Sequence, residues 1–236
     1  MSVREQENKI FKEWGKLLGH DNYGEDGIVN EKLYFKSRIK TIFILKELVN
    51  DPIDLREFLN EGAIGRHQTW NNVTRWLIGI RNISNPEFNV WHERLDEITE
   101  ETRKEYLQSI GVINLKKEPG MNSTSDNKLY QYLKEYNESK RLLLSQQYNL
   151  YKPDLVIFGL GRGKVATIAS DILFGSHDNW KRCEKTDVFF LPLGQNKYAI
   201  DYFHPQPRME SMSLRKKRYE DLIITIKEIF GDNSKK

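Results

Sequence analysis

The sequence predicts an α/β fold: a three-layer α/β/α sandwich around a mainly parallel sheet of four to five strands. Three observations carry that expectation. Residues 41–45 (TIFIL) form a continuous apolar, β-branched run, the pattern of a strand buried on both faces. Residues 153–163 (PDLVIFGLGRG) repeat that pattern and end in glycines. Between such runs lie stretches with apolar residues at helical spacing, and strands alternating with helices favour parallel pairing under helices on both faces. No internal repeat or low-complexity linker divides the 236 residues, so a single domain spans 1–236. Within it, residues 1–40 form a helical extension and connecting loop, and residues 231–236 a frayed tail.

Taken in order, residues 5–19 place Ile10, Phe11, Trp14, Leu17 and Leu18 on one helical face. Residues 20–32 (HDNYGEDGIVNEK) are turn-rich. The first strand, 41–45, runs into a polar loop, KELVNDP, at 46–52. Helical stretches follow at 54–65, 69–80 and 91–107. A second strand, 111–117 (GVINLKK), breaks at Pro119-Gly120 into the polar run MNSTSD. Residues 128–150 read as one long helix, with Leu129, Leu133, Tyr136, Leu143 and Tyr148 near one face. The third strand is 153–163. DVFFLPL (187–193) and YAIDYF (198–203) form a final pair across a Gly194-Gln195-Asn196 turn. The last strand stops at His204-Pro205-Gln206-Pro207, where two prolines fix φ and remove two N–H donors. An amphipathic helix over 215–230 closes the chain.

Composition narrows the class. A hydrophobic fraction of 38% with 30% charged residues suits a soluble globular protein. No apolar run approaches the roughly 20 residues that span a bilayer, and the N-terminus lacks the apolar core of a signal peptide. One cysteine, Cys183, leaves no internal disulfide and no cysteine-held iron–sulfur or zinc site, and fits the cytoplasm. The expectation is a monomer with no cofactor, no metal and no membrane partner. Net charge is +3, so a nucleic-acid partner must be argued from where the charge lies.

In an open parallel sheet, ligands bind at the C-terminal ends of the strands. That edge gathers the loop after the first strand, with Lys46, Glu47, Leu48 and Asp51, and Asn114 with Lys117, Asn122 and Ser123 around the end of the second. It also gathers Gly161 in the glycine turn, and His204 before Arg208 and Met209. From Arg208 to Arg218 the chain carries five basic residues (Arg208, Arg215, Lys216, Lys217, Arg218) against one acid, Glu210. Trp70 is a core residue of its helix or an aromatic platform for a base.

These stretches, FILKELVND (43–51), INLKKEPGMNS (113–123) and FHPQPRM (203–209), together resemble the uracil-DNA glycosylase superfamily, from Thr41 to the C-terminal helix. The His-Pro and Asn stretches match well and the first matches poorly. The resemblance implies a glycosylase-like fold and an enzyme acting on double- or single-stranded DNA. Such an enzyme flips out a pyrimidine and hydrolyses its N-glycosidic bond, leaving an abasic site. Glu47 and Asp51 become the candidate carboxylates beside the cationic sugar, and His204 the donor to the departing base. Asn114, Leu48 and Trp70 become base contacts. Lys46, Lys117, Asn122, Ser123, Gly161, Arg208, Met209, Arg215, Lys216, Lys217 and Arg218 become DNA contacts, with Met209, Met212 or Leu214 as a wedge in the vacated stack. No aromatic residue occupies the first loop, which relaxes uracil specificity and admits a 5-substituted pyrimidine, such as glucosylated 5-hydroxymethylcytosine in phage DNA. Members of divergent branches of the superfamily act in such antiviral defence.

Other readings stand beside this one. Plain uracil or a deaminated base is the alternative substrate. The chain also reads as a non-catalytic nucleic-acid-binding relative, or as a nucleotide binder using Gly159-x-Gly161-x-Gly163-Lys164, whose spacing misses both phosphate-loop fingerprints by one. Glu47 and Asp51 also suit helix capping, and Asn114 suits a buried hydrogen-bond role. His67 reads as a surface residue. Carboxylate plus imidazole suits simple hydrolysis, so no lysine, Lys46 and Lys164 included, is expected to form a Schiff base with the abasic sugar.

Overall fold

The computed structural model describes residues 1–48, 52–65, 67–120, 124–175, 179–206 and 211–231. Five of the candidate site residues, Asp51, Asn122, Ser123, Arg208 and Met209, lie outside the described residues, as do Pro207, Glu210 and the side chain of His67.

The fold is α/β, built on a mixed sheet of six strands among the described residues, in the order β2-β1-β3-β6-β5-β4. The strands are β1 (Thr41–Leu45), β2 (Ile110–Asn114), β3 (Leu155–Gly159), β4 (Lys181–Arg182), β5 (Phe189–Gly194) and β6 (Lys197–Tyr202). The first four in that spatial order run parallel; β5 and β4 add an antiparallel edge. The sheet is therefore larger and less uniformly parallel than the four to five strands expected. The two-residue β4 was hidden because it carries no apolar pattern: both Lys181 and Arg182 are exposed.

The helices are α1 (Val3–Leu18), α2 (Glu31–Lys36), α3 (Leu55–Asn60), α4 (His67–Arg81) and α5 (Glu100–Leu107) in the first half. The second half adds α6 (Asp126–Lys134), α7 (Glu138–Tyr151), α8 (Lys164–Phe174) and α9 (Met212–Phe230). Strand residues alternate between two apolar clusters. Phe43, Leu45, Val112, Ile157 and Ile200 join α4 and α9; Ile42, Ile44, Ile113, Val156 and Ala199 join residues of α1, α6, α7 and α8. Burying each such side chain contributes about 1.5–3 kcal/mol, which is why the central strands carry no polar face.

Two helices depart from expectation through capping. The helix expected over 128–150 is two, because Asn137 accepts the Lys140 N–H (2.9 Å) and starts α7 afresh. Likewise 91–107 is helical only from Thr99, whose hydroxyl accepts the Thr102 N–H; the residues before it form short 3₁₀ turns. Helix α8 was not anticipated, although its signal is plain afterwards: an apolar run between Gly163 and Gly175.

The N-terminal loop is pinned to β2 by backbone bonds, from the Val29 N–H to the Ile110 carbonyl (3.0 Å) and from the Val112 N–H to the Gly27 carbonyl (2.9 Å), and beyond them by buried charge. Asp26, fully buried, binds Lys117 Nζ (2.8 and 2.9 Å) and accepts from Gln147 of α7 (2.7 Å) and from the Asn114 backbone (2.8 Å). Beside it Glu7 of α1 pairs with Arg56 of α3 (2.8 Å). This network explains why α1 and the loop lie against the β2 end of the sheet. Among the described residues no helix is long and apolar enough to cross a membrane.

Candidate active site

The parallel register aligns Leu45 with Asn114 and Gly159 with Tyr202, so the four strand ends form one edge. Beyond β6 the chain turns at His204 and Pro205. The Pro205 ring sits directly on the end of β3, where a Cβ at Gly159 would lie 3.0 Å from Pro205 Cδ and 2.9 Å from Leu45 Cδ2. A side chain at 159 would press on the proline ring, so glycine suits that close approach.

The half-buried His204 ring accepts the Gln206 backbone N–H at Nδ1 (3.1 Å). An accepting Nδ1 leaves the proton of the neutral ring on Nε2, which is thereby a donor. Burial first, and the Lys46 ammonium second, lower its pKa to about 4, against the opposing pull of Asp126. The imidazole is neutral across the physiological range.

Around it the predicted residues divide. Lys46 is at the edge, with Nζ 2.6 Å from Asp126 Oδ1 and 3.4 Å from the Thr124 carbonyl. Glu47, one residue on, is a strut: Oε2 pairs with Lys116 (3.0 Å), Oε1 accepts the Thr124 N–H (2.9 Å), and its side chain is 2% exposed. Gly120 packs against the carboxylate, where a Cβ would come within 2.6 Å of Oε1. Among the described residues, the carboxylate that reaches the imidazole electrostatically is Asp126, at the start of α6, whose Oδ2 lies 3.3 Å from where a Cβ on Gly161 would stand.

Asn114 is buried at the end of β2, and its Nδ2 finds no partner among the described residues. An orphaned buried amide costs about 1–3 kcal/mol, so its retention here asks for an explanation.

Several expectations are corrected. Lys117 is not a DNA contact: it is fully buried, bound by Asp26 and Gln147. Trp70 and Leu48 do not face a base; both pack in the cluster under α4, and Leu48 fills the space that a Cβ on Gly24 would need. The Gly161 N–H is spent on the Tyr202 carbonyl (3.2 Å) and the Gly163 N–H on Asp201 Oδ2 (2.9 Å). Those two amides are not the phosphate cradle that the glycine turn suggested.

At the start of α9, Lys216 and Lys217 are exposed and Arg215 and Arg218 half-buried. Lys217 pairs with Asp221 (2.8 Å). Arg218 lies 4.0 Å and Arg162 5.2 Å from the Phe203 ring centroid, next to His204. A cavity of about 10 Å³ lies between His204, Arg215 and Arg218, room for about one water and not for a base.

Sequence reasoning passed over four residues. Asp126 follows the polar run after β2, which was the signal available. Asn72 and Arg75 lie about one turn apart on α4, and both side chains are buried although polar. Asp201 alternates with core residues in β6; burial raises its pKa to about 6, and its Oδ1 has no partner among the described residues.

Among the described residues, no group of three His, Cys, Asp or Glu is placed to hold a metal ion. The sequence matches no protein-family model and no curated protein.

Proposed function

We propose that this chain is a monofunctional DNA glycosylase of the uracil-DNA glycosylase type, in a three-layer α/β/α sandwich, excising a 5-substituted pyrimidine. The observation that carries the reading is His204: a neutral imidazole, its donor nitrogen fixed as Nε2, on a proline-stiffened turn at the ligand-binding edge of a parallel sheet. Breaking a base–sugar bond puts negative charge on the departing base, and a preorganised neutral donor stabilises that charge without first losing a proton. One such donor is worth about 3–4 kcal/mol, or 10²–10³ in rate.

The one-water cavity beside His204 requires that DNA open this turn before a base can enter; the other neighbours suit the same chemistry. Asn114 holds a buried amide donor without a partner among the described residues at the end of β2, three strands along the same edge, and is suited to reading the edge of a flipped base. The cationic start of α9, with exposed Met212 and Leu214, suits a phosphate grip beside a wedge into the stack. Internal use of the Gly161 and Gly163 amides counts against the nucleotide-binding alternative. With Glu47 tied to Lys116, the sugar-side carboxylate is sought at Asp51 or Asp126.

Excision assays on oligonucleotides carrying uracil, 5-hydroxymethylcytosine or its glucosylated form test this reading. The expected result is alkali-labile sites at the substituted cytosine. Cleavage at uracil alone transfers the reading to the repair of deaminated bases. Binding without abasic product on any of the three makes the chain a non-catalytic relative.

A further inference from the structure

We infer that Asn72 and Arg75 of α4 are positioning residues that set the tautomer and orientation of the His204 ring through the Pro205–Gln206 peptide unit. The inference deepens the proposed function and rests on it for the catalytic role of His204; the geometry itself does not.

A single rigid peptide plane carries both the Pro205 carbonyl and the Gln206 N–H, facing opposite ways. The N–H donates to His204 Nδ1 (3.1 Å), and the carbonyl accepts from Asn72 Nδ2 (2.8 Å). Fixing the carbonyl therefore fixes the direction of the N–H, and through it the nitrogen on which the neutral ring carries its proton. Asn72 has its own orientation imposed. Its Oδ1 accepts from Arg75 Nη1 (2.9 Å), so the amide cannot flip without setting two donors against each other. Arg75 is anchored in turn, donating to the Leu95 carbonyl (2.7 Å) and the Asp96 carbonyl (3.2 Å) and lying 5.6 Å from the Trp91 ring centroid.

The Asn72–Arg75 part of the relay is buried, with Asn72 4% and Arg75 6% exposed, and only its last link, from the Gln206 N–H to the half-buried His204, comes to the surface. Hydrogen bonds in such surroundings are stronger than in water and polarise one another along the chain. Helix packing alone does not require an asparagine and an arginine here; Val73 and Leu77 supply that on the same helix. The Asn–Arg pair serves the turn. Pro205 has no N–H and the Gln206 N–H is committed to the ring, so Asn72 is what holds the remaining polar group of that peptide.

The test is ¹⁵N NMR of the imidazole in wild type, Asn72→Leu and Asn72→Ala, without DNA. In wild type, His204 is expected as the Nε2–H tautomer with a midpoint of about 4. An Nδ1–H tautomer in wild type overturns the inference without any variant. In Asn72→Leu, which removes the donor at near-constant volume, the expected result is a mixture of tautomers and a midpoint moved up. Asn72→Ala, which leaves room for water, serves as the second variant and is expected to show a smaller change in the same direction. A His204 signature unchanged in either folded variant overturns the inference.

Excision kinetics then separate this inference from the function it rests on. If wild type excises, Asn72→Leu is expected to lose 10- to 100-fold in kcat with KM within about threefold. An equal loss in KM alone assigns Asn72 to DNA binding and overturns the positioning role. If wild type excises nothing while the NMR result holds, the glycosylase reading fails and the relay stands.

Discussion

The Lys46 ammonium lies 2.6 Å from Asp126 Oδ1, and both charges bear on the His204 imidazole with opposite sign. Their placement makes the protonation of His204 adjustable from outside its own loop. Lys46→Met is expected to raise the His204 midpoint from about 4, since a repelling cation is lost. Asp126→Asn is expected to lower it. NMR titration of the imidazole reads both; shifts of the same sign in the two variants would disprove the electrostatic assignment.

Asp201 carries a stability prediction. Burial raises its folded pKa to about 6, above the unfolded value of about 3.9. Its native form therefore favours the proton: the stabilisation is full below about pH 3.9 and is lost as pH rises through about 6. Asp201→Asn keeps an acceptor for the Gly163 N–H and removes the charge. It is expected to stabilise the protein by up to roughly 2–3 kcal/mol at pH 8, from two units at about 1.4 kcal/mol each, and by nothing at pH 3.5. Urea unfolding at the two pH values checks this. An equal effect at both would show that the carboxylate is not the cause. His204 works in the opposite direction over the same range, because its folded pKa lies below the unfolded one and its stabilisation fades as pH falls from about 6.5 to 4.

Lys117→Met leaves Asp26 buried and without its cation. The expected cost is about 3–5 kcal/mol in urea unfolding, the usual price of breaking a buried pair from one side. If the variant is instead as stable as wild type and binds DNA more weakly, Lys117 belongs to a DNA surface after all.

For the cationic turn of α9, salt dependence is the measurement. Lys216→Ala is expected to reduce the slope of log affinity against log salt by about 0.7–0.9, one phosphate contact. Lys217→Ala is expected to change it less, because Lys217 is already paired with Asp221. Unchanged slopes in both would remove this surface from the DNA interface.

Borohydride is expected to trap no adduct with DNA. Lys46 Nζ is held 2.6 Å from Asp126 Oδ1, an ion pair that keeps it from reaching an abasic sugar. A covalent complex lost in Lys46→Met would instead point to lyase chemistry at Lys46.

How much of this was legible in the residues depends on what each one pairs with. β1 and β3 were readable because every position is buried, so hydrophobicity alone marks them. His204 was readable because prolines announce the stiff turn on which it sits. Lys117 misled because a lysine beside a strand end looks like a surface cation, and nothing local in the sequence reveals Asp26, 91 residues earlier, as its partner. Glu47 misled likewise, since Lys116 claims it from the neighbouring strand. The Asn72 contact spans 133 residues and is invisible to periodicity, which reads α4 only as an amphipathic helix.

Single-turnover excision on DNA bearing a glucosylated 5-hydroxymethylcytosine, comparing wild type with His204→Ala, tests the central claim most directly. The account predicts abasic sites with wild type and a loss of about 10²–10³ in rate for the variant, with DNA affinity retained. An undiminished rate in His204→Ala would contradict it.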